Sequence, residues 1–292
     1  MASGINVGRV SQTWRYPAKS MMGSPQDFID VFELGVLGDR AWAVRDEERG
    51  GIRGAKKING LMGLAAEFVD GPTLDRPAPP IEITLPDGAS VRSDDAAVNE
   101  VLSRALGRAV SLWPLRPADD LDHYRRGAPD SDDVVVELRA MFGRTEDEPL
   151  PDFSAFGHVL EYESPPGSYV DAYPLMLMTT RSMETLAARN PESRVDIRRF
   201  RPNVLVELDD HDGSPFPEID WVGDELALGD AVLEVVAPCP RCVMVTLPFA
   251  DLPRDRPLLA SIVADADQNI GVYANVVVPG RITPGDSLAV LG

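Results

Sequence analysis

Cysteine and long hydrophobic runs are scarce in this chain, and each shortage excludes a class of protein. The 292 residues contain only two cysteines, Cys239 and Cys242. Two thiols so close together cannot build a disulfide framework, which favours a reducing compartment. No apolar run reaches the roughly 18 residues of a membrane span, and the first residues lack the pattern of a signal peptide. We therefore expect a cytoplasmic protein with no membrane partner.

Several binding and catalytic motifs are absent as well. The net charge of −19 would repel a phosphate backbone, so we expect no nucleic-acid partner. No predicted strand is followed by GxGxxG, and the chain contains no GxxxxGKS/T, GxSxG or HExxH motif. These absences disfavour a Rossmann dinucleotide enzyme, a P-loop enzyme, a common hydrolase and a zinc protease.

Short apolar stretches separated by turn residues dominate the pattern and predict the fold class. Helices are predicted only near 95–106, 180–190 and 255–264. The fold is therefore α+β but mainly β, with β-barrels and a few peripheral helices. A stretch rich in Pro, Asp and Gly at 118–152 predicts a connecting segment between a domain at 1–117 and a second domain at 153–292.

The two cysteines lie between two runs that are predicted to be buried strands, and several interpretations stay open. A zinc site needs two more ligands, but the three histidines at 123, 158 and 211 are scattered and no second CxxC exists. A thioredoxin-like redox pair should open a helix, whereas 243–246 is predicted to be a strand. We prefer a single reactive thiolate, kept ionised by Arg241 or another cation. A merely buried cysteine pair is the alternative.

An arginine cluster precedes the predicted strand at 204–208. Three arginines, Arg198, Arg199 and Arg201, fall within four residues. On a strand, Arg199 and Arg201 would share a face and could grip a phosphate, and Asn203 would continue that face. The alternative is a solvated charged edge.

Other candidate anion-binding groups lie in turns and at a helix start. Lys19, Arg40 and the lysines at 56 and 57 sit in or beside turns of the first domain, and with the arginine cluster they could form a cationic pocket for a phosphorylated ligand. Thr179 or Thr180 is the predicted N-cap of the helix at 180–190, whose first turn would offer free N–H groups to an anion.

Six segments carry a resemblance to a known family. They are Tyr-Pro-Ala-Lys-Ser at 16–20, Gly-Asp-Arg at 38–40, Arg-Phe-Arg-Pro-Asn at 199–203, Leu-Gly-Asp at 228–230, Arg-Cys at 241–242 and Pro-Gly-Asp at 284–286. In order and spacing they resemble MOSC-domain proteins, named for the C-terminal domain of molybdenum-cofactor sulfurase. The chain is similar to the mitochondrial amidoxime-reducing components and their bacterial relatives. The resemblance implies a MOSC β-barrel preceded by a second, barrel-like N-terminal domain.

The resemblance also implies a cofactor and its contacts. The family binds molybdenum cofactor (Mo-molybdopterin), whose metal is held by a dithiolene and one protein cysteine. Cys242 matches that metal ligand and catalytic residue, and Cys239 does not. Cofactor contacts are implied at Lys19, Arg40, Thr179, Thr180, Ser182, Arg201 and Asn203, to which the charge pattern adds Arg199 and Arg241.

The leading functional hypothesis is therefore an oxidoreductase that reduces N-hydroxylated or similar N- or S-oxygenated small molecules by oxygen-atom transfer at molybdenum. Because no flavin, haem or iron–sulfur motif is present, a separate electron-donor protein is expected. The second hypothesis is a sulfur carrier that delivers persulfide sulfur from Cys242, and the third is a non-catalytic cofactor-binding protein. Residues 243–251 and the Gly-rich loop at 50–63 depart from the amidoxime reducers, so we expect different substrate contacts.

Overall fold

The computed structural model describes residues 4–154, 161–209 and 213–291. The strands in these ranges are β1 (Ile5–Arg15), β2 (Ser24–Gln26), β3 (Ile29–Phe32), β4 (Gly35–Val36), β5 (Trp42–Asp46), β6 (Ala65–Phe68), β7 (Ile81–Thr84), β8 (Ser90–Arg92), β9 (Val110–Pro114), β10 (Leu175–Thr179), β11 (Val204–Leu208), β12 (Glu225–Leu228), β13 (Ala231–Pro240), β14 (Asn269–Val278), β15 (Gly280–Ile282) and β16 (Ser287–Leu291). The helices are α1 (Val98–Leu106), α2 (Leu121–Tyr124), α3 (Val134–Phe142), α4 (Thr180–Arg189), α5 (Ile197–Phe200) and α6 (Arg256–Asp265).

Seven strands close into a barrel, in the order β11, β10, β14, β13, β12, β16 and β1. The ring is completed by antiparallel pairing of β1 with β11, and β10 with β11 is its one parallel pair among the described strands. Closure removes the unpaired edges of an open sheet. The predicted fold class, mainly β with a barrel and peripheral helices, is confirmed.

The barrel interior is filled by one apolar cluster contributed by alternate residues of its strands. In β13, residues alternate between buried and more exposed positions along all ten residues. Leu233 and Val235 therefore point into the cluster with Val206 and Leu226, and each of these four side chains is fully buried. Truncating one such leucine to alanine costs roughly 2–5 kcal/mol.

The segment before residue 117 forms small sheets around a second core. Strand β5 pairs with β9, and β6, β7 and β8 form a three-stranded antiparallel sheet. Helix α1 covers this core with Val98 and Leu102. Strand β1, however, belongs to the barrel, and β3 pairs with β15 near the end of the chain. The predicted domain boundaries stay a prediction.

Several local predictions are confirmed and two are wrong. Gly107 ends α1 in the left-handed conformation, and the side chain of Thr179 caps α4. Residues 197–200 form α5 rather than a strand, and Arg201 follows it with a left-handed φ of 59°. Residues 243–246 form a 3-10 turn rather than a strand. None of the helices in the described ranges has the length and apolar character to cross a lipid bilayer.

Candidate functional site

One cavity collects residues from several segments that are far apart in sequence. Cys242 enters it directly after β13, and the segment between α5 and β11 supplies Arg201 and Asn203. The turn after β1 supplies Lys19, and the turn after β4 supplies Arg40. The barrel makes this possible because β1, β11, β10, β14 and β13 are successive neighbours, so segments beside their ends come together.

Arg241 holds the turn that carries Cys242. Its Nε and Nη2 donate to the carbonyl of Ile270 and its Nη1 donates to the carbonyl of Phe200, with the Nη1 distance 2.9 Å. The guanidinium also stacks on the Phe200 ring at 5.4 Å. Arg241 is thus committed to backbone carbonyls, and its role at the site is to position the loop.

The two cysteines have different surroundings. Both are free thiols that line the cavity, with Cys239 buried and Cys242 half-buried. Burial raises the pKa of Cys239, although Arg241 and a hydrogen bond with Tyr273 oppose this. Cys239 therefore stays a neutral, enclosed thiol, and Cys242 is the more accessible of the pair.

Two guanidinium groups stack on the ring of Tyr16. The Cζ atoms of Arg40 and Arg201 lie 4.7 and 4.3 Å from the ring centroid. Arg40 is paired with the carboxylate of Asp39, which raises the pKa of Arg40 although burial opposes it. For Arg201, burial and then repulsion from Arg40 lower the pKa to about 10.

Arg201 carries an unsatisfied donor. Its Nη1 donates to the carbonyl of Met21, but its buried Nη2 has no hydrogen-bond partner among the described residues. The side chain is only 6% exposed. A buried N–H without an acceptor costs about 1–3 kcal/mol. The cavity therefore presents a cationic donor that an anion could satisfy.

Asn203 links several of the segments that surround the cavity. Its Oδ1 accepts from Nη1 of Arg40 and from the N–H of Met176, each at 3.3 Å, and its Nδ2 donates to the carbonyl of Trp14 at 3.4 Å. The amide thus links β1, β10 and the Arg40 turn. It orients Arg40 within the cavity.

A carboxylate that no sequence pattern indicates joins two lysines. Nζ of Lys19 lies 2.5 Å from Oδ1 of Asp171, and Nζ of Lys56 lies 3.3 Å from Oδ2. Burial disfavours the charge of Asp171, but Lys19 and Lys56 outweigh it and hold the pKa of Asp171 well below its usual range. Burial also disfavours the charge of Lys56, yet Asp171 and Cys242 raise its pKa. No motif around Asp171 signals this role, because both partners are more than 100 residues away.

The cavity is positive in a strongly acidic chain. Its wall includes one carboxylate, Asp171, and six cationic side chains, which are Lys19, Arg40, Lys56, Arg199, Arg201 and Arg241. Arg201 and Arg241 bond backbone carbonyls and therefore keep their net charge within the cavity wall, whereas the guanidinium of Arg199 is turned away from it. Against a net charge of −19 for the whole chain, this local excess favours an anionic ligand.

Arg199 reaches the cavity wall but its guanidinium is turned into the protein. It donates to the carbonyls of Arg194, Val245, Leu247 and Pro253 at 2.7–3.2 Å. Because it lies in a helix and not on a strand, it does not share a face with Arg201. Arg199 therefore anchors the loop that follows Cys242.

The predicted hydroxyl groups at the start of α4 do not line the cavity. Thr179 and Ser182 are buried and both donate to the carboxylate of Glu218 at 2.6 Å, and Thr180 is half-buried beside them. Burial raises the pKa of Glu218, although these hydrogen bonds oppose it. The hydroxyl groups of Thr179 and Ser182 thus bond an internal carboxylate, which lies 36 or more residues away in sequence.

Metal-ligand chemistry in the protein itself is sparse. His123 is buried and hydrogen-bonds to the hydroxyl of Tyr169, while His158 and His211 lie outside the described residues. Within 4–154, 161–209 and 213–291, no three His, Cys, Asp or Glu side chains cluster to hold a metal ion. A metal at Cys242 would take its other ligands from a bound group.

Comparison with known proteins gives one family match and several relatives. Residues 165–289 match the MOSC domain. Mitochondrial amidoxime reducing component 2 of Bos taurus is 27% identical over 249 residues, which cover 82% of this chain and 67% of the relative. Mitochondrial amidoxime-reducing component 1 of Xenopus laevis is 29% identical over 253 residues, covering 82% and 66%. The chain spans about two thirds of the length of these relatives. The crystal structure of the YuaD protein from Bacillus subtilis aligns over 99% of this chain and 98% of its own, with 11% identity and a TM-score of 0.45.

Proposed function

We propose that this chain, which contains a MOSC domain at 165–289 and is homologous to the mitochondrial amidoxime-reducing components, binds molybdenum cofactor and reduces small N-hydroxylated compounds. One observation carries the proposal. The accessible thiol of Cys242 shares a cationic cavity with the unsatisfied Nη2 of Arg201. A ligand that combines a soft metal with a phosphate suits both of these groups.

The residues present fit such a cofactor. A phosphate would satisfy Nη2 of Arg201, and Lys19 and Arg40 would add positive charge around it. Cys242 would contribute one thiolate to the metal, and the dithiolene of the cofactor would contribute further soft ligands. Arg241 and Arg199 would hold the Cys242 loop in place through their carbonyl contacts.

When bound, molybdenum cofactor supplies a two-electron centre at which an N-hydroxylated compound, two electrons and two protons give the N–H compound and water. The protein orients the cofactor, supplies Cys242 and encloses the site. Cys239 keeps its proton and packs beside Tyr273. The electrons come from a separate donor protein, because the chain has no flavin, haem or iron–sulfur motif.

The proposal is tested by a matched pair of cysteine variants. Wild type, Cys242→Ser and Cys239→Ser are produced in a host that makes molybdenum cofactor, and molybdenum per chain is measured by mass spectrometry. Reduction of benzamidoxime to benzamidine is then followed with reduced methyl viologen as the electron source. We expect metal and turnover in wild type and Cys239→Ser, and loss of turnover with reduced metal in Cys242→Ser.

Other results would contradict this function. Equal metal content and equal turnover in Cys242→Ser would exclude Cys242 as the ligand. A Cys242 persulfide that forms after incubation with a desulfurase, in protein without molybdenum or turnover, would instead indicate the sulfur carrier. Bound molybdenum without any reduction of N-hydroxylated compounds would indicate a cofactor-binding protein.

A further inference from the structure

Helix α3 presents a stripe of side chains to a second cavity. Val134, Glu137, Leu138, Met141 and Phe142 follow the spacing of one helix face and line a space of about 310 Å³. Such a stripe normally packs into a core. Here only Phe142 is buried. This face of the helix therefore lines a cavity, which we name the α3 pocket.

The α3 pocket adjoins the cavity that contains Cys242. Lys56, Asp171, Pro240 and Tyr273 line both spaces. Lys56 marks the junction, with its Nζ 3.3 Å from Oδ2 of Asp171 and 5.8 Å from the ring centroid of Phe142. One molecule could therefore occupy the α3 pocket and reach towards Cys242.

The position of α3 relative to Cys242 is fixed by several contacts. Lys57 forms an ion pair with Glu137 on the helix. Beyond the helix, Arg144 donates to the carbonyl of Arg241 at 2.9 Å. Between them, Gly143 packs so closely that an added Cβ would lie 3.3 Å from Cα of Val243. The pocket is thus preorganised against the loop that carries the thiol.

The side chains that line the α3 pocket indicate which kind of molecule fits it. Phe142 and Phe153 pack edge to face with centroids 5.3 Å apart, so aromatic surface is available in the wall. A cavity of about 150 Å³ is enough to bind benzene. Four carboxylates and two cations line the pocket, namely Asp132, Glu137, Glu163, Asp171, Lys56 and Arg126. Glu137 is paired with Lys57, Glu163 with Arg126, and Asp171 with Lys19 and Lys56. The charges of this wall therefore largely cancel, which favours an uncharged occupant.

We infer that the α3 pocket holds the apolar body of the substrate and is the subsite by which the protein favours an uncharged aromatic group over a small one. The inference rests on the proposed function for the reacting end of the substrate. Leu138, Met141 and the Phe142–Phe153 pair would contact the aromatic body. The N-hydroxyl end would pass Lys56 and Asp171 into the cavity beside Cys242.

The test compares two probes and three variants of the cofactor-loaded protein. The probes are benzamidoxime, which carries a phenyl ring, and acetamidoxime, which carries a methyl group. Leu138→Ala and Met141→Ala remove pocket contacts, whereas Val135→Ala changes an exposed position of the same helix that does not line the pocket. Unfolding midpoints confirm that each variant is folded.

We expect the ratio of kcat/KM for benzamidoxime over acetamidoxime to fall about tenfold in Leu138→Ala and Met141→Ala and to stay at the wild-type value in Val135→Ala. The Kd of benzamidoxime, measured by titration calorimetry without turnover, should rise by a similar factor in the same two variants. An unchanged ratio and an unchanged Kd in both variants would overturn the inference. If wild type reduces neither probe but the Kd follows the expected pattern, the pocket stands and the proposed function fails.

Discussion

Asp171→Asn is the most informative single change to the cationic cavity. The carboxylate bonds both Lys19 and Lys56, and Lys19 is only 2% exposed. Asparagine keeps the shape of the side chain but removes its charge. Lys19 would then keep the carbonyl of Tyr169, 3.1 Å away, as a neutral partner.

The expected loss follows from the burial of these groups. Removing one partner of a fully buried ion pair costs about 3–5 kcal/mol, because the other charge is left uncompensated. The side chain of Asp171 is 40% exposed towards the cavity, so solvent screens part of the interaction. We therefore expect the free energy of unfolding to fall by about 2 kcal/mol at pH 7.

The pH dependence of this loss has a definite sign. Burial opposes ionisation of Asp171, but Lys19 and Lys56 hold its pKa well below the ordinary value of 3.8. A carboxyl whose pKa is lowered by folding contributes stability that is fully present above the unfolded pKa and is lost as the pH falls through the folded pKa. The difference between wild type and Asp171→Asn should therefore be constant near neutral pH and shrink below pH 3.8.

Urea unfolding followed by tryptophan fluorescence measures this difference at a series of pH values. Asp94→Asn is the matched control, because Asp94 also has a lowered pKa, owing to its hydrogen bond with Arg92, but is solvent-exposed. Asp94→Asn should lose clearly less stability than Asp171→Asn at pH 7. Equal losses in the two variants, or a difference for Asp171→Asn that persists unchanged to about pH 2.5, would refute the reasoning.

Three further changes separate structural roles from cofactor contacts. Thr179→Ala should lower the free energy of unfolding by about 1 kcal/mol, because it removes the cap of α4 and a donor to Glu218. The molybdenum content per chain should stay at the wild-type value. Loss of metal would instead indicate that Thr179 contacts the cofactor. Arg199→Lys should cost about 2–3 kcal/mol in urea unfolding, since an ammonium cannot reach four carbonyls; an unchanged midpoint would contradict this anchoring. Gly229→Ala should destabilise by about 1–3 kcal/mol, because φ is +56° and the added Cβ would lie 2.3 Å from Oδ2 of Asp286; wild-type thermal stability would show that the turn adapts.

Local structure was predictable where a few neighbouring residues decide it. The end of α1 follows from Gly107 and the start of α4 from Thr179, and the turn at 228–230 with its glycine separates β12 and β13. The sequence failed at 198–201, where an aspartate N-cap at Asp196 starts a short helix that competes with the strand pattern. These outcomes depend on hydrogen bonds between residues a few positions apart.

Hydrogen-bond and ion-pair partners that lie far apart in the sequence were not predictable. Thr179 is a helix cap, as expected, but its hydroxyl also donates to the buried carboxylate of Glu218, which the sequence did not indicate. Likewise Lys19 was a candidate cation, yet nothing near it in sequence indicates that Asp171 neutralises it. A hydrogen-bonding or charged side chain takes whichever partner the tertiary fold brings close.

The sequence by itself determined the residue types of the site: two thiols three positions apart, a few lysines and an arginine cluster in an acidic chain. Tertiary structure decided which of them meet. The strand alternation of β13 encloses Cys239, and the turn after it exposes Cys242 to a cavity. Closure of the barrel by β1 and β11 brings Lys19 and Arg201 to the same cavity, because only long-range strand pairing joins segments so distant in sequence.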